Sequence, residues 1–351
     1  MKNKKIYLVT GGCGFIGSAL VRKLLMDKNN LVINIDKLSY ASNIDAVENE
    51  KNDSYIFVQE NITNEEIIKK LLNKYNPNFI IHLAAESHVD RSIDNPSSFI
   101  ESNIVGTYTL LNECFHYWKN LNPQNKIDFK FLLVSTDEVY GSTLNVFTEE
   151  SPMKPNSPYA ASKASADLLA RAWFKTYNFP VLTTNCSNNY GKWQFPEKLI
   201  PLVIKKCLEN KKIPVYGKGD QQRDWLYVDD HIDALLMVLS KGKVGQTYNI
   251  ASANEIKNLD LVKLICLILD EMVPNNEKKY SDLINFVEDR PGHDFRYSMN
   301  IDKIKKEINW EAKTELDEGL RKTIAWYLKN KTWLLDPSRK YEGQRMGKIK
   351  K

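Results

Sequence analysis

Five residues carry the chemistry that this sequence advertises. Thr136, Asp137 and Glu138 stand in a row after the apolar run Phe131-Leu132-Leu133-Val134, and Tyr159 and Lys163 form a Tyr-x-x-x-Lys pair downstream. Residues four apart lie on one face of a helix. An ammonium beside a phenol favours the phenolate and lowers its pKa, and a phenolate can take an alcohol proton while hydride leaves the carbon. The Thr136 hydroxyl can steady the oxygen being oxidised. Two adjacent carboxylates whose surroundings split their pKa values give one acid and one base, the pair needed to expel water from a neighbouring carbon. Each feature alone has a plain reading: Tyr-x-x-x-Lys recurs on exposed helix faces, and adjacent acids usually belong to solvated loops. Their common position after a single apolar run sets them apart.

The elements that must position these groups follow from the hydrophobic pattern. Strands are expected at Lys5–Thr10, Leu31–Asp36, Tyr55–Gln59, Asn78–Ala84, Lys130–Ser135 and Val181–Asn185, with helices between them at Phe15–Asp27, Asn64–Tyr75, Ser97–Trp118 and Pro158–Tyr177. Near-continuous apolar strands spaced by helices imply a parallel sheet covered on both faces, a Rossmann-type doubly wound α/β fold. Beyond residue 186 the regularity breaks, with Pro196, Pro201, Pro214, Gly217 and Gly219 punctuating helical patterns at Leu199–Glu209, Asp229–Leu239, Asn258–Met272 and Asp317–Leu328. The expected division is a dinucleotide domain of residues 1–185 plus about 226–252, a smaller mixed α/β lobe of 186–225 plus about 253–330, and a basic tail of 331–351. The lobe would lie at the carboxyl ends of the strands, where such sheets bind ligands.

Gly11-Gly12-Cys13-Gly14-Phe15-Ile16-Gly17 follows the first strand and opens the first helix, and Asp36 closes the second strand. In that context the glycines let the backbone approach a pyrophosphate, and the helix N-terminus favours its charge. Asp36 can accept from both ribose hydroxyls and would repel a 2′-phosphate, so NAD is expected over NADP, with Lys37 softening that preference.

Composition narrows the remaining classes. The chain has 351 residues, 42% of them apolar, and a formal charge of +5. Six basic residues against Glu342 in the stretch Arg339–Lys351 account for the whole excess, so the body is near neutral and nucleic-acid binding is disfavoured. Five cysteines without a C-x-x-C pair suggest neither a disulfide framework nor a zinc site, and the five histidines lack ligand spacing, so no metal is expected. No apolar run has membrane-spanning length, the strand pattern starts by Ile6, and a cytoplasmic location is expected.

Taken together, these motifs resemble nucleotide-sugar 4,6-dehydratases of the extended short-chain dehydrogenase/reductase class. The resemblance rests on Gly11–Gly17, His82–Ser92, Ser135–Gly141, Tyr159 with Lys163, Asn188–Gly191, Gln194–Pro201, Arg223-Asp224-Trp225 and Arg290–Asp294, and spans about residues 4–330. Its specific part is Thr136-Asp137-Glu138, because related epimerases lack the carboxylate pair. It implies that Tyr159 removes the C4 hydroxyl proton of glucose while NAD takes the hydride, with Lys163 binding the nicotinamide ribose. Glu138 then removes the C5 proton, Asp137 protonates the departing C6 hydroxyl, and hydride returns to C6. The substrate would be dTDP-glucose or UDP-glucose, and the product its 4-keto-6-deoxy sugar. A homodimer through a four-helix interface is also implied.

By the same resemblance the cofactor would be held by Gly11, Gly14, Phe15, Ile16, Gly17, Asp36, Lys37, Asn61, Ile62, Ala84, Tyr159 and Lys163. The nucleotide sugar would meet Ser87, Thr136, Asn188, Lys198, Leu199, Pro214, Tyr216, Arg223, Asn258, Arg290, His293 and Tyr297. Three features depart from the family pattern. Asn61 replaces an aspartate that meets the adenine amino group, Lys192-Trp193 replaces Pro-Tyr and would make its loop more mobile, and Phe295 stands where a basic residue is common. Rival readings are a nucleotide-sugar 4-epimerase, which would release no water, and a non-catalytic NAD-binding sensor, which would have no need of Asp137, Glu138 and Tyr159 together.

Overall fold

A computed structural model of the chain describes residues 4–48, 53–289 and 292–337. Seven parallel strands form its main sheet: β1 (Lys5–Thr10), β2 (Asn30–Asp36), β3 (Tyr55–Gln59), β4 (Phe79–His82), β5 (Lys130–Thr136), β6 (Val181–Cys186) and, much later in the chain, β10 (Thr247–Ile250). Their spatial order is β10-β6-β5-β4-β1-β2-β3, so the order reverses beside β1, and a ligand crevice opens at such a switch point.

Side-chain alternation along the strands explains the two covered faces. On β5, Phe131 and Leu133 enter one core, and Leu132 and Val134 the other. The first core is sealed by α2 (Glu65–Tyr75), α3 (Gly106–Lys119) and α4 (Pro158–Tyr177), and the second by α1 (Phe15–Leu25) and α6 (Val228–Lys241). Each fully buried Leu, Ile or Phe contributes about 1.5–3 kcal/mol, so two dry faces hold the strand ends rigidly.

The lobe has a third core built by α5 (Leu199–Leu208), α7 (Asn258–Met272) and α8 (Leu316–Lys329). Two small sheets join it to the strand ends. One orders β7 (Asn188–Tyr190), β9 (Gln222–Tyr227) and β11 (Glu255–Lys257) as β11-β9-β7, and the other pairs β8 (Ile213–Tyr216) with β12 (Ile284–Val287). These short strands escape a reading based on periodicity.

One expected helix is not continuous. The stretch read as Ser97–Trp118 begins with a short helix, Pro96–Phe99, and passes through a π-helical turn, Ile100–Val105, before α3. The wide turn is held by partners outside the helix. The Asn103 side chain accepts from Glu86 N at 2.8 Å and donates to Glu86 O at 3.0 Å and Ser162 Oγ at 2.9 Å. At Gly106 an added Cβ would lie 2.7 Å from the end of the Ile62 side chain, which would have to shift to admit it. Among the described residues, no helix is long and apolar enough to cross a membrane.

Candidate active site

The strand ends carry Thr10, Asp36, His82, Thr136 and Cys186 to one edge of the sheet, and a cavity of about 290 Å³ opens there. Gly11, Gly14, Phe15, Ile16, Gly17, Asp36, Lys37, Asn61, Ile62 and Ala84 line it, as do Thr136, Asp137, Glu138, Tyr159 and Lys163. Every residue expected from sequence to hold the cofactor or do chemistry therefore faces one space. A second cavity of about 200 Å³ continues from it into the lobe. Ser87, Glu138, Asn188 and Lys198 line both; Leu199, Pro214, Tyr216, Arg223, Asn258 and His293 line the second. Tyr297 lines neither. It stands behind Arg223, whose guanidinium lies 4.3 Å from its ring centre, and its hydroxyl donates to Asp294 at 2.6 Å. Arg290 and the basic residues from 338 onward lie outside the described residues.

The glycine turn fits a dinucleotide. Gly11 has φ +73° and packs on the Ala84 backbone, 2.7 Å from where a Cβ would sit; a Cβ on Gly17 would lie 2.1 Å from Gly11 O. No side chain caps α1, so its first N–H groups are unspent and face the cavity at Phe15 and Ile16. Asp36 is more committed than its sequence position suggests. Its Oδ1 accepts from Leu38 N at 2.8 Å and Ser42 Oγ at 2.9 Å, and its Oδ2 from Cys13 N at 2.9 Å. A carboxylate has about four acceptor positions, so about one is left for a ribose hydroxyl. Asn61 Oδ1 already accepts from Thr63 N at 3.2 Å, and Lys37 pairs with Glu86 at 2.7 Å.

Tyr159 and Lys163 sit in the first turns of α4. Ser157 caps that helix through Ala160 N at 3.1 Å, and Pro158 occupies its first turn. Ser162 Oγ donates to Tyr159 O at 2.7 Å while accepting from Asn103, which ties the tyrosine to the π-helical turn. Lys163 Nζ donates to Val134 O at 2.9 Å. Here the expected electrostatics are reversed. Burial, followed by the Glu138 charge, pushes the Tyr159 phenol well above its usual range, and a hydrogen bond with Thr136 opposes this only in part. Lys163 is itself pushed down by burial, with Asp167 one turn further along resisting. Its ammonium is turned to a strand carbonyl, so desolvation outweighs the lysine expected to lower the phenol's pKa.

The two carboxylates differ as an acid–base pair requires. Asp137 is 3% exposed. Burial and the Glu138 charge push its carboxyl well above the usual carboxylate range, against the pull of Arg223. Glu138 is half-buried and borders both cavities. The Thr136 hydroxyl donates to Asp137 Oδ1 at 3.2 Å, and Thr136 Oγ1 accepts from Glu138 N at 3.4 Å, which holds the short 3-10 turn Asp137–Tyr140 on the end of β5. Arg223 is pinned by backbone carbonyls, donating to Gln222 O at 2.7 Å, Asp294 O at 2.8 Å and Phe295 O at 3.2 Å. The substituted position 295 thus serves the site through its backbone.

The sequence matches the model of the family described as GDP-mannose 4,6 dehydratase over residues 8–323. This chain belongs to that family. Within it, the chain is 50% identical over 339 residues to the dTDP-glucose 4,6-dehydratase of Shigella flexneri, covering 93% of this chain and 94% of that one. The structure is similar to the crystal structure of dTDP-glucose 4,6-dehydratase from Bacillus anthracis in complex with NAD, with TM-score 0.83 and 42% identity over 94% of this chain and 98% of that one. It is also similar to the UDP-glucose 4-epimerase of Thermotoga maritima, with TM-score 0.81 but 27% identity over 93% and 99%.

Two outcomes were not anticipated from sequence. The Lys192-Trp193 loop lacks a proline but is packed: the Trp193 ring lies 4.6 Å from Trp326 and 5.4 Å from Trp333, and the Tyr327 hydroxyl donates to Gln194 O at 2.7 Å. An indole thus replaces proline rigidity with packing. Glu197 belongs to the Gln194–Pro201 motif, but its burial at 5% exposure and its place bordering both cavities emerge only from the fold.

Proposed function

We propose that this chain is an NAD-dependent dTDP-glucose 4,6-dehydratase, a hydro-lyase that forms the nucleotide-linked 4-keto-6-deoxyglucose. One observation carries the reading: Asp137, whose carboxyl burial pushes upward, and a more open Glu138 share a cavity wall with Tyr159 and the glycine turn. NAD, when bound, supplies the acceptor for the C4 hydride, the donor to C6 and a positive ring near the phenol. Tyr159 takes the C4 hydroxyl proton, with Thr136 steadying that oxygen. A C4 ketone acidifies the C5 hydrogen, Glu138 removes it, and Asp137 gives its proton to the departing C6 hydroxyl. Glu138 afterwards returns a proton to C5. Lys163 orients the cofactor ribose, while Arg223, Lys198 and Asn188 lie where a diphosphate would run between the cavities.

The thymidine-linked sugar is favoured by the activity named for the relatives at about 50% identity. One methyl separates it from the uridine-linked sugar and is worth about 1–3 kcal/mol in a pocket, so slower turnover of UDP-glucose is expected. The epimerase reading leaves the carboxylate pair without work. A homodimer is supported by apolar side chains left exposed on the two long helical stretches: Ile100, Val105 and Tyr108 on one, Leu168 on the other. Sedimentation at micromolar concentration tests it, and monomers alone would refute it. A reducing cytoplasm suits five free, buried cysteines.

Incubation with each nucleotide-glucose in deuterated water tests the activity. A 6-deoxy-4-ketone with solvent deuterium at C5 is expected, faster from dTDP-glucose. Recovery of starting sugar or its galactose epimer, with no ketone, would overturn the proposal.

A further inference from the structure

Residues 37–43 leave the end of β2 as a strap along the cofactor cavity, and its root is the ribose-side carboxylate itself. Asp36 Oδ1 accepts from Leu38 N and from Ser42 Oγ, while Ser42 N donates to Ser39 O at 3.0 Å, so a closed turn presents Tyr40 at its tip. Leu38 adopts φ +58°, a backbone that a branched side chain rarely takes, so the strap leaves the sheet through a strained pivot. Across the cavity mouth stands the loop that carries Phe195, Glu197 and Lys198. The Tyr40 hydroxyl donates to Glu197 Oε1 at 2.7 Å, its ring meets Phe195 edge-on at 5.8 Å, and the Arg91 guanidinium covers the ring at 3.8 Å. Arg91 Nε also donates to Glu197 Oε2 at 3.2 Å. Burial and the Glu197 charge push the phenol above its usual range, so it remains a donor.

We propose that Tyr40 is a positioning residue that clasps the strap to Glu197 under Arg91, closing the cofactor cleft and setting the rate at which dinucleotide leaves. The strap and the Glu197 loop line the same cavity from opposite chain regions, 157 residues apart, so dinucleotide held beneath them leaves by breaking this contact. A reaction that returns the hydride to its own substrate gains from a cofactor that stays bound, and the clasp supplies that retention outside the reacting groups. Because Glu197 also borders the lobe cavity, the same contact ties cofactor closure to the nucleotide-sugar side.

The inference rests on the NAD reading above, and one experiment separates the two. Enzyme loaded with radiolabelled NAD is diluted into unlabelled NAD, and retained label is followed by rapid gel filtration. Losing one hydrogen bond to a charged acceptor should make release from Tyr40→Phe about tenfold or more faster than from the unmodified protein. Arg91→Met should accelerate release in the same direction. Equal release rates in the unmodified protein and both variants would overturn the clasp. Failure of the unmodified protein to bind label would overturn the cofactor reading instead. Amide hydrogen exchange of the NAD-free protein provides a readout independent of loading: Tyr40→Phe should speed exchange across residues 38–43 and leave β1 unchanged. Unchanged exchange in the strap, or an equal rise in β1, would also count against the clasp.

Discussion

Replacing Asp137 with asparagine isolates the elimination step. Asparagine keeps the shape and an oxygen to accept from the Thr136 hydroxyl, and like the protonated acid it is neutral, so the field around Arg223 and Asp224 is little changed. What it lacks is a proton acidic enough to give to a leaving hydroxyl. At 3% exposure, water has little access to take over that role. A positioned general acid contributes about 10²–10⁴-fold, or about 2.7–5.4 kcal/mol at 1.36 kcal/mol per decade. Elimination should therefore slow by that factor, while the first oxidation changes by no more than about threefold. Stopped-flow absorbance in a single turnover reads both steps, because reduced nicotinamide would rise at the normal rate and then persist. Deuterated solvent would also exchange into C5 without loss of the C6 hydroxyl. Equal slowing of both phases would refute the assignment of Asp137 as leaving-group acid.

Three further outcomes follow from the same geometry. The Glu138 charge is among the causes holding the Tyr159 phenol up, so Glu138→Gln should move the pH dependence of single-turnover oxidation to lower pH while abolishing C5 exchange; an unmoved profile would show that the two groups do not sense one another. Asp167 is pushed by burial to about 6, so the folded state binds more protons than the unfolded chain between pH 4 and 6, and stability falls as pH rises through that window. At 1.36 kcal/mol per unit this amounts to about 2–3 kcal/mol, a slope that denaturant titrations should find missing in Asp167→Asn. Gly17→Ala would drive a Cβ to 2.1 Å from Gly11 O, so it should cost about 1–3 kcal/mol of stability and weaken NAD binding, measured by thermal melting and calorimetry; a variant that melts and binds like the parent would refute the close-approach argument.

The parts of this molecule that sequence reveals are those set by local periodicity. The apolar runs of β1 and β5, the glycine turn and the amphipathic helices all announce themselves within a dozen residues, and with them the sheet edge where Thr136, Asp36 and Gly11 meet. What stays hidden depends on partners far along the chain. The π-helical turn at Ile100–Val105 reads as ordinary helix because Glu86 and Ser162, which hold Asn103, are remote in sequence. The Tyr40–Glu197 contact spans 157 residues. Tyr159 and Lys163 are legible as a pair, yet the balance between them is not, because burial and the Val134 carbonyl decide it. Tyr297 is suggested as a ligand contact by the family resemblance alone, and its packing against Arg223 is set by a partner far along the chain.

The central claim is that hydrogen leaves one sugar carbon and returns two carbons away within a single site. dTDP-glucose deuterated at C4 tests it most directly, with the product examined by mass spectrometry and NMR. The account predicts deuterium at C6 of the 4-keto-6-deoxy product. Deuterium retained at C4 of recovered sugar, or washed into solvent with unlabelled C6, would contradict it.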